Sequence, residues 1–426
     1  MLLRFGLTNF MSVRETQELS LVASTLSDDA GAVIQVDGLP IQLLRAAAIY
    51  GPNASGKSAV ILGLKFIKNA VQNSHSKWQP GAKIPRHPFA LDSSKEKPSE
   101  FSIDFLVQGV RYEYGFSMDD TQILHEYVFA YPANRMQRWF ERRREWDQIY
   151  FGKNLPGENR VIESLTRPDS LFLSAAAQNN HEKLKPLYNW FTSKLEFRSG
   201  LSDRSHDRTI DLCLKNEETK KLVLRLLGAA DLGIVGMDLR EEEQELPPEA
   251  NAFTQKLEAL IKEIEPKFSM NRTRKHRAIS LHHSCDGDRA VSIPLHDEST
   301  GTLAYLAILG PIVEVLATGG VLCVDELDAS LHPLLLEEIV KIFNQDDRNP
   351  MAAQLIFNTH TTDLLGRSVL RRDEIWFTEK DNTGATRLYP LSDFKPRKDE
   401  NLQRGYIQGR YGATPVANLK VSREDL

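Results

Sequence analysis

The sequence predicts an α/β protein built around a mainly parallel sheet, and three observations carry that reading. A short apolar run, residues 46–50, stops at Gly51-Pro52-Asn53 and leads into an amphipathic helix. Between residues 85 and 151 the pattern changes to short β-like runs with polar turns, as in antiparallel strands. From residue 302 onward helix and strand signals alternate again.

Residues 2–21 read as extended segments broken by a turn at 9–12. In the helix after the glycine loop, Val60, Leu64, Ile67 and Val71 recur at i, i+4, i+7 and i+11, giving one apolar face. Residues 101–107, 110–117 and 123–130 read as strands of an antiparallel lobe. Residues 171–191 read as helical after their first residues. Residues 215–227 and 252–264 read as two amphipathic helices flanking the acidic run Glu241-Glu242-Glu243, a short helical insertion. A helix at 302–316, a strand at 321–324, a helix at 333–343 and strands at 354–358 and near 374–377 complete the set. The expected organisation is an amino-terminal part of the core (1–84), a β-rich lobe and following helix (85–200), a helical insertion with connecting strands (201–290) and a carboxyl-terminal part of the core (291–426).

With 426 residues the chain has room for two or three packing units. Its 41% hydrophobic and 26% charged residues exclude a disordered or fibrous chain. The 53 Lys and Arg against 58 Asp and Glu leave a net charge of -5, so a nucleic-acid contact has to come from a local patch. Cys213, Cys285 and Cys323 are odd in number and far apart, which suits neither a disulfide framework nor a zinc cluster. No run reaches the ~20 apolar residues of a membrane span, and MLLRFGLTNF lacks the apolar core of a secretory signal. A cytoplasmic protein without membrane association is the expectation.

GPNASGKS, residues 51–58, matches the phosphate-loop pattern in the strand-to-helix context that the motif requires. Backbone N–H groups of Gly51, Pro52's neighbour Asn53, Ala54, Ser55, Gly56 and the helix start through Ala59 face a polyphosphate in such a loop, aided by the helix dipole. Lys57 reaches the β- and γ-phosphates, and the Ser58 hydroxyl serves magnesium. GGVLCVDELDASLHP, residues 319–333, puts paired acids at the end of an apolar strand, where desolvation is costly unless a cation or proton compensates. Asp325 is the magnesium-side carboxylate and Glu326 the candidate general base that polarises the attacking water, weighed against a plain exposed acidic turn with Asp328. QLIFNTH, residues 354–360, ends a strand in His360, a candidate γ-phosphate sensor weighed against a structural histidine. DESTGT, residues 297–302, serves equally as an anion site through Ser299 and Gly301 or as a plain helix cap.

In order, GPNASGKS, DESTGT, LCVDELDASLHP and FNTH resemble the phosphate loop, signature, acidic strand and switch histidine of the ABC-type ATPases in their SMC/RecF-like branch. LRFGLTNFMS is similar to that branch's opening strand. The chain further resembles the compact AriA and RloA type ATPases of bacterial antiphage defence and the ATPase half of OLD nucleases, including at LFLSAAAQNN, DEIWFTEK and YIQGRYGATP. The signature reads ESTGT where transporters have LSGGQ, so Ser299 and Gly301 carry over more safely than their neighbours; no glutamine loop stands out, Gln178 being a candidate that reads better as a polar residue on a helix surface. The resemblance implies an ABC/SMC-like ATPase head that binds and hydrolyses ATP with Mg2+. Two copies would share each nucleotide, the phosphate loop of one closing with the signature serine of the other in a homodimer or higher oligomer. Asp328 and His332 would lie near that interface or simply cap the next helix. It also implies a sensor or scaffold in abortive-infection defence that answers a phage-derived trigger and controls a separately encoded nuclease or toxin. After His360 there is no clustered acidic site of the kind a nuclease needs.

The alternative is a RecF-like DNA-repair clamp. Two basic runs bear on it: Arg135, Arg138 and Arg142-Arg143-Arg144 with Trp139 and Trp146, and Arg272, Arg274, Lys275 and Arg277. Acids interleave the first run, so nucleic-acid binding stays open. A transporter subunit fits poorly with the β lobe and the altered signature.

Overall fold

The computed structural model describes residues 1–26, 28, 33–199, 206–230, 232–245, 248–262, 273–285, 289–366 and 369–415. The chain divides into two compact units, Met1–Gly200 with Glu314–Leu426, and Leu201–Val313.

In the first unit the chain forms β1 (Leu2–Thr8), β2 (Gln17–Ser20), β3 (Val33–Gln35), β4 (Gln42–Leu44), β5 (Ala46–Tyr50) and then α1 (Lys57–Asn73). Strands β6 (Ser99–Val107), β7 (Val110–Met118), β8 (Ile123–Tyr131), β9 (Gln137–Arg143) and β10 (Tyr150–Phe151) follow, then the helices α2 (Asn159–Leu165), α3 (Phe172–Gln178) and α4 (Lys185–Ser193), and β11 (Leu195–Ser199). The second unit holds α5 (Asp207–Lys215), α6 (Glu217–Ala229), β12 (Ile234–Glu245), α7 (Pro248–Lys262), β13 (Thr273–Ser284) and β14 (Ala290–Pro294). Helix α8 (Thr300–Thr318) carries the chain back, after which come β15 (Val321–Asp325), α9 (Pro333–Asn344), β16 (Gln354–Asn358), α10 (Asp363–Gly366), β17 (Ile375–Lys380), β18 (Thr386–Pro390) and α11 (Leu402–Ile407).

Two large sheets organise the first unit. One is antiparallel and seven-stranded, in the order β10-β9-β8-β7-β6-β1-β2, so the opening strands join the β-rich lobe. The other is six-stranded, in the order β11-β15-β16-β5-β17-β18, and every pair in it is parallel except β17 with β18. Strand β5 lies inside this sheet and is buried along its whole length, which is why it reads as a continuous apolar run. Helix α1 packs on the sheet at β15 and β16, and its Val60, Leu64, Ile67 and Val71 are all fully buried. The apolar periodicity therefore fixes the helix directly onto the sheet.

Elsewhere the structure departs from the local sequence signals. The helix expected across 171–191 is two helices, because Asn180 adopts a left-handed φ of 57° and ends the first. The acidic run read between two helices lies in β12, in antiparallel register with a basic run: Glu241 opposite Arg277, Glu242 opposite His276 and Glu243 opposite Lys275. Glutamates favour helices locally, but pairing with a distant strand decides here. The inserted unit thus combines helices with a three-stranded sheet, β12-β13-β14. Helix α8 is long and apolar enough to cross a membrane by length and composition, with 67% of its apolar window buried inside the protein. That burial is the signature of a core helix.

Candidate nucleotide site

Strands β15, β16 and β5 are neighbours in the central sheet, so their carboxyl ends bring three distant stretches of sequence together. β5 runs into the loop 51–56, which turns sharply at Gly51 (φ 155°), Ala54 (φ 62°) and Gly56 (φ 107°). Glycine is required at two of these positions. A Cβ on Gly51 would collide with the carbonyl oxygen of Thr378, and one on Gly56 with the hydroxyl of Thr386. Ala54 holds a left-handed backbone without glycine's freedom, a strain of roughly 1–3 kcal/mol that clusters at ligand sites.

Behind the loop a hydroxyl network fixes its shape. Ser55 Oγ bonds Thr378 Oγ1 at 2.6 Å, Thr386 Oγ1 donates to the Ser55 carbonyl at 2.8 Å, and Ser12 Oγ meets Thr386 Oγ1 at 2.8 Å. Thr378 and Thr386 come from β17 and β18, within and beside the DEIWFTEK segment. No pattern of spacing singles them out in the sequence.

Lys57 is buried, and its ammonium donates to the carbonyls of Gly51 at 2.8 Å and Pro52 at 3.0 Å. Burial lowers its pKa, and the carboxylates of Asp328, Glu326 and Asp325 oppose that shift. A polyphosphate would supply the anionic partner that loop carbonyls only imitate.

Ser58 Oγ donates to Asp325 Oδ1 at 2.8 Å, and Asn358 Nδ2 donates to the same oxygen at 2.5 Å. Asn358 Oδ1 in turn accepts from the backbone N–H of Glu326 at 2.5 Å. Asn358 therefore ties β16 to the end of β15, a role the FNTH motif contained but the sequence reading did not assign. A hydroxyl and a carboxylate in contact are the hard oxygen donors that suit Mg2+, which keeps most of its ligands as water and phosphate. Among the described residues no group of three or more His, Cys, Asp and Glu is gathered around one point. Glu326 is exposed and held at φ 59° in the turn that follows.

Most of these pieces line one cavity of about 1050 Å3; Asp325 lies behind it, reached through Ser58 and Asn358, which do line it. Asn53 through Ala59 form one side, and Glu326, Asn358 and His360 face it. The remaining wall is largely apolar, with Phe10, Phe66, Phe89 and Leu91, and a polar edge at Lys380. Phe66 comes from α1 and Lys380 from β17, while Phe10, Phe89 and Leu91 come from the β1–β2 turn and the stretch before β6, to which sequence reasoning gave no role at the site. Gln178 ends α3 and is absent from the cavity lining.

Ser299 and Gly301 lie in the other unit. Ser299 Oγ accepts from the N–H of Thr302 at 3.1 Å and sits 2.9 Å from its hydroxyl, so it caps α8. His332 caps α9, its Nδ1 accepting from the N–H of Leu334 at 3.2 Å. The first basic run is largely consumed internally. Arg138 and Arg143 both bond Glu141, at 2.9 and 2.7 Å, Arg142 donates to the Ser170 carbonyl at 2.8 Å, and Trp139 is buried. In the second run Arg272 lies outside the described residues.

The family described as "AAA domain, putative AbiEii toxin, Type IV TA system" matches residues 46–366, well over half of the chain. No curated protein matches. Among solved structures, the SMC head domain from Thermotoga maritima is similar at 12% identity and a TM-score of 0.41, covering 91% of this chain and 98% of that one. An SMC head bound to the C-winged helix domain of ScpA is similar at 12% identity and a TM-score of 0.42, covering 92% and 99%. Likenesses this distant say nothing about what the chain does.

Proposed function

We propose a function for this chain, which belongs to the AAA_21 family of AAA domains: it is a Mg2+-dependent ATPase of the ABC/SMC type. The observation that carries the reading is the bonded chain Ser58–Asp325–Asn358–Glu326, of which Ser58, Asn358 and Glu326 line the same cavity as the phosphate loop. The loop amides and Lys57 bind the triphosphate, and Ser58 with Asp325 hold Mg2+, which supplies charge neutralisation at the phosphates. Glu326 orients a water toward the γ-phosphorus and takes its proton, while His360 donates a hydrogen bond to a γ-phosphate oxygen. As the water oxygen bonds to phosphorus, the bond to the bridging oxygen breaks, leaving ADP and inorganic phosphate.

In this reading ATP drives two copies together, with Ser299 and Gly301 of one completing the site of the other, in the cytoplasm. The cycle serves antiphage defence of the abortive-infection type by holding or releasing a separately encoded effector. The toxin–antitoxin wording of the family's description and the resemblance of LFLSAAAQNN and YIQGRYGATP support this part. The DNA-clamp alternative has no comparable support, given the internal engagement of Arg138, Arg142 and Arg143.

Phosphate release and light scattering on the purified chain test the two levels separately. Turnover that requires Mg2+ and an ATP-dependent rise in mass are expected. Absence of turnover sinks the enzyme, and an unchanged mass sinks the shared site. Capture from the native host should recover a stoichiometric partner encoded nearby, and its absence would sink the effector role.

A further inference from the structure

The turn after β15 and the loop after β16 are laced together twice. In one direction the backbone N–H groups of Glu326 and Leu327 donate to Asn358, to its side-chain oxygen at 2.5 Å and its carbonyl at 3.2 Å. In the other, Asp328 Oδ2 accepts from the backbone N–H groups of His360 at 2.9 Å and Thr361 at 3.1 Å. The first lacing places the acidic pair. The second places the histidine through one carboxylate oxygen, and the N–H of Thr361 is shared between that oxygen and the Thr359 hydroxyl at 3.1 Å.

Four further observations set Asp328 apart from an ordinary turn aspartate. Its other oxygen, Oδ1, is buried without a hydrogen-bond partner, which a carboxylate tolerates only at a cost of roughly 1–3 kcal/mol. The hydroxyl of Tyr50, at the end of β5, is likewise buried and unpartnered, and Asp328 is the charge that acts on it most strongly. Among the carboxylates opposing the effect of burial on Lys57, Asp328 comes before Glu326 and Asp325. The turn that presents it is bracketed by left-handed residues, Glu326 at φ 59° and Ser330 at φ 60°. One carboxylate thus reaches the phosphate-loop strand, the loop's lysine and the histidine loop, while itself lying outside the cavity lining.

We propose that Asp328 is a positioning residue for hydrolysis: it sets His360 in register with Lys57 and Glu326 by clamping the backbone of residues 360 and 361. The inference rests on the ATPase reading above and deepens it. Because the clamp acts through backbone amides, the side chain at 360 gains its aim from residue 328 and not from its own contacts.

Two measurements test this, one without nucleotide turnover. Amide exchange should show the His360 N–H protected in the parent and exposed in Asp328→Ala, with Thr361, which also bonds the Thr359 hydroxyl, changing less; equal protection of His360 in both overturns the clamp. In steady-state hydrolysis Asp328→Ala should lower kcat by roughly a hundredfold with KM little changed. Adding Asp328→Ala to His360→Ala should cost nothing further, and multiplicative losses would overturn the proposal. Asp328→Asn, whose amide oxygen can still accept, should restore most of the loss; an Asn variant as slow as the Ala variant would assign the effect to charge on Lys57 and overturn the clamp. If Asp328→Ala does not fold, Asp328→Ser, too short to span to both amides, carries the same comparisons. A parent without ATP turnover refutes the ATPase reading, whereas an active parent matched by an equally active Asp328→Ala refutes only the role of Asp328.

Discussion

The two ends of the central sheet are built on opposite rules. At the amino end, polar side chains spend their groups on fixed backbone partners. Gln354 accepts from the N–H of Leu2 at 2.6 Å and donates to the carbonyls of Leu2 and Leu44, both at 3.0 Å. Asn349 bonds the carbonyls of Phe343 and Ala353 and the N–H of Ala353, and Glu374 accepts from the N–H groups of Ala46 and Arg371. At the carboxyl end Ala54, Glu326 and Ser330 hold left-handed backbones, Lys57 rests on loop carbonyls, and an Asp328 oxygen has no partner. The contrast is one of degree: the amino end has its own exceptions in Ala352 at φ 53° and the unpartnered Arg45 Nε and Asn344 Oδ1. There, however, most polar side chains bond fixed main-chain groups, whereas at the carboxyl end strain and unmet valence surround the phosphate loop.

The sharpest way to break this contrast is a change at each end. Glu326→Gln at the carboxyl end should reduce turnover by roughly two to four orders of magnitude while ATP still binds. Its unfolding midpoint should hardly move, since Glu326 is exposed. Single-turnover phosphate release with an equilibrium binding assay reads both. A variant that turns over at the parental rate removes Glu326 from the chemistry.

Gln354→Ala at the amino end should do the reverse. It strips partners from three buried backbone groups and should cost roughly 3 kcal/mol of stability, measured by denaturant unfolding. Turnover per folded molecule should stay at the parental value. If activity fell while stability held, the two ends would not be separable.

The contrast also explains what was legible beforehand. Strand β5, the glycine loop, α1, β15 and β16 could be read because each is coded locally: apolar runs, a fixed motif, a 3.6-residue period. Lys57, Ser58, Asp325, Glu326 and His360 belong to those motifs, and the parallel pairing of β15, β16 and β5 gathers them. Thr378, Thr386 and the apolar wall at Phe10 and Phe89 are coded by nothing local. They reach the loop only because β17 and β18 extend the sheet and the lobe folds back beside it. The acidic stretch of β12 shows the same limit, because its strand is imposed by a partner more than thirty residues away.

A finer test uses protons. Burial raises the Glu374 carboxyl from 4.5 to about 8, against the hydrogen bonds it accepts from Arg371, Ala46 and Asn344. The native chain therefore keeps a proton that the unfolded chain releases above pH 4.5, and stability falls as pH rises from there toward 8. The slope from this group is at most roughly 1.4 kcal/mol per pH unit. Glu374→Gln should flatten it over that window. An unfolding series from pH 5 to 8 in which parent and variant run parallel would show that Glu374 is ionised throughout.

The smallest effect should come from the ion pair at the amino end whose carboxylate is exposed, and its smallness matters. Arg45 bonds both Asp346 and the carbonyl of Asn349. Arg45 is buried, but the Asp346 side chain is 71% exposed, so water and salt screen the pair. Asp346→Ala leaves the guanidinium its carbonyl partner and should cost only about 0.5 kcal/mol, shrinking further in high salt. If the closed end is held by neutral bonds to the backbone, this loss stays well below that of Gln354→Ala. A loss of equal size would mean that charge, not saturation of the main chain, holds that end of the sheet.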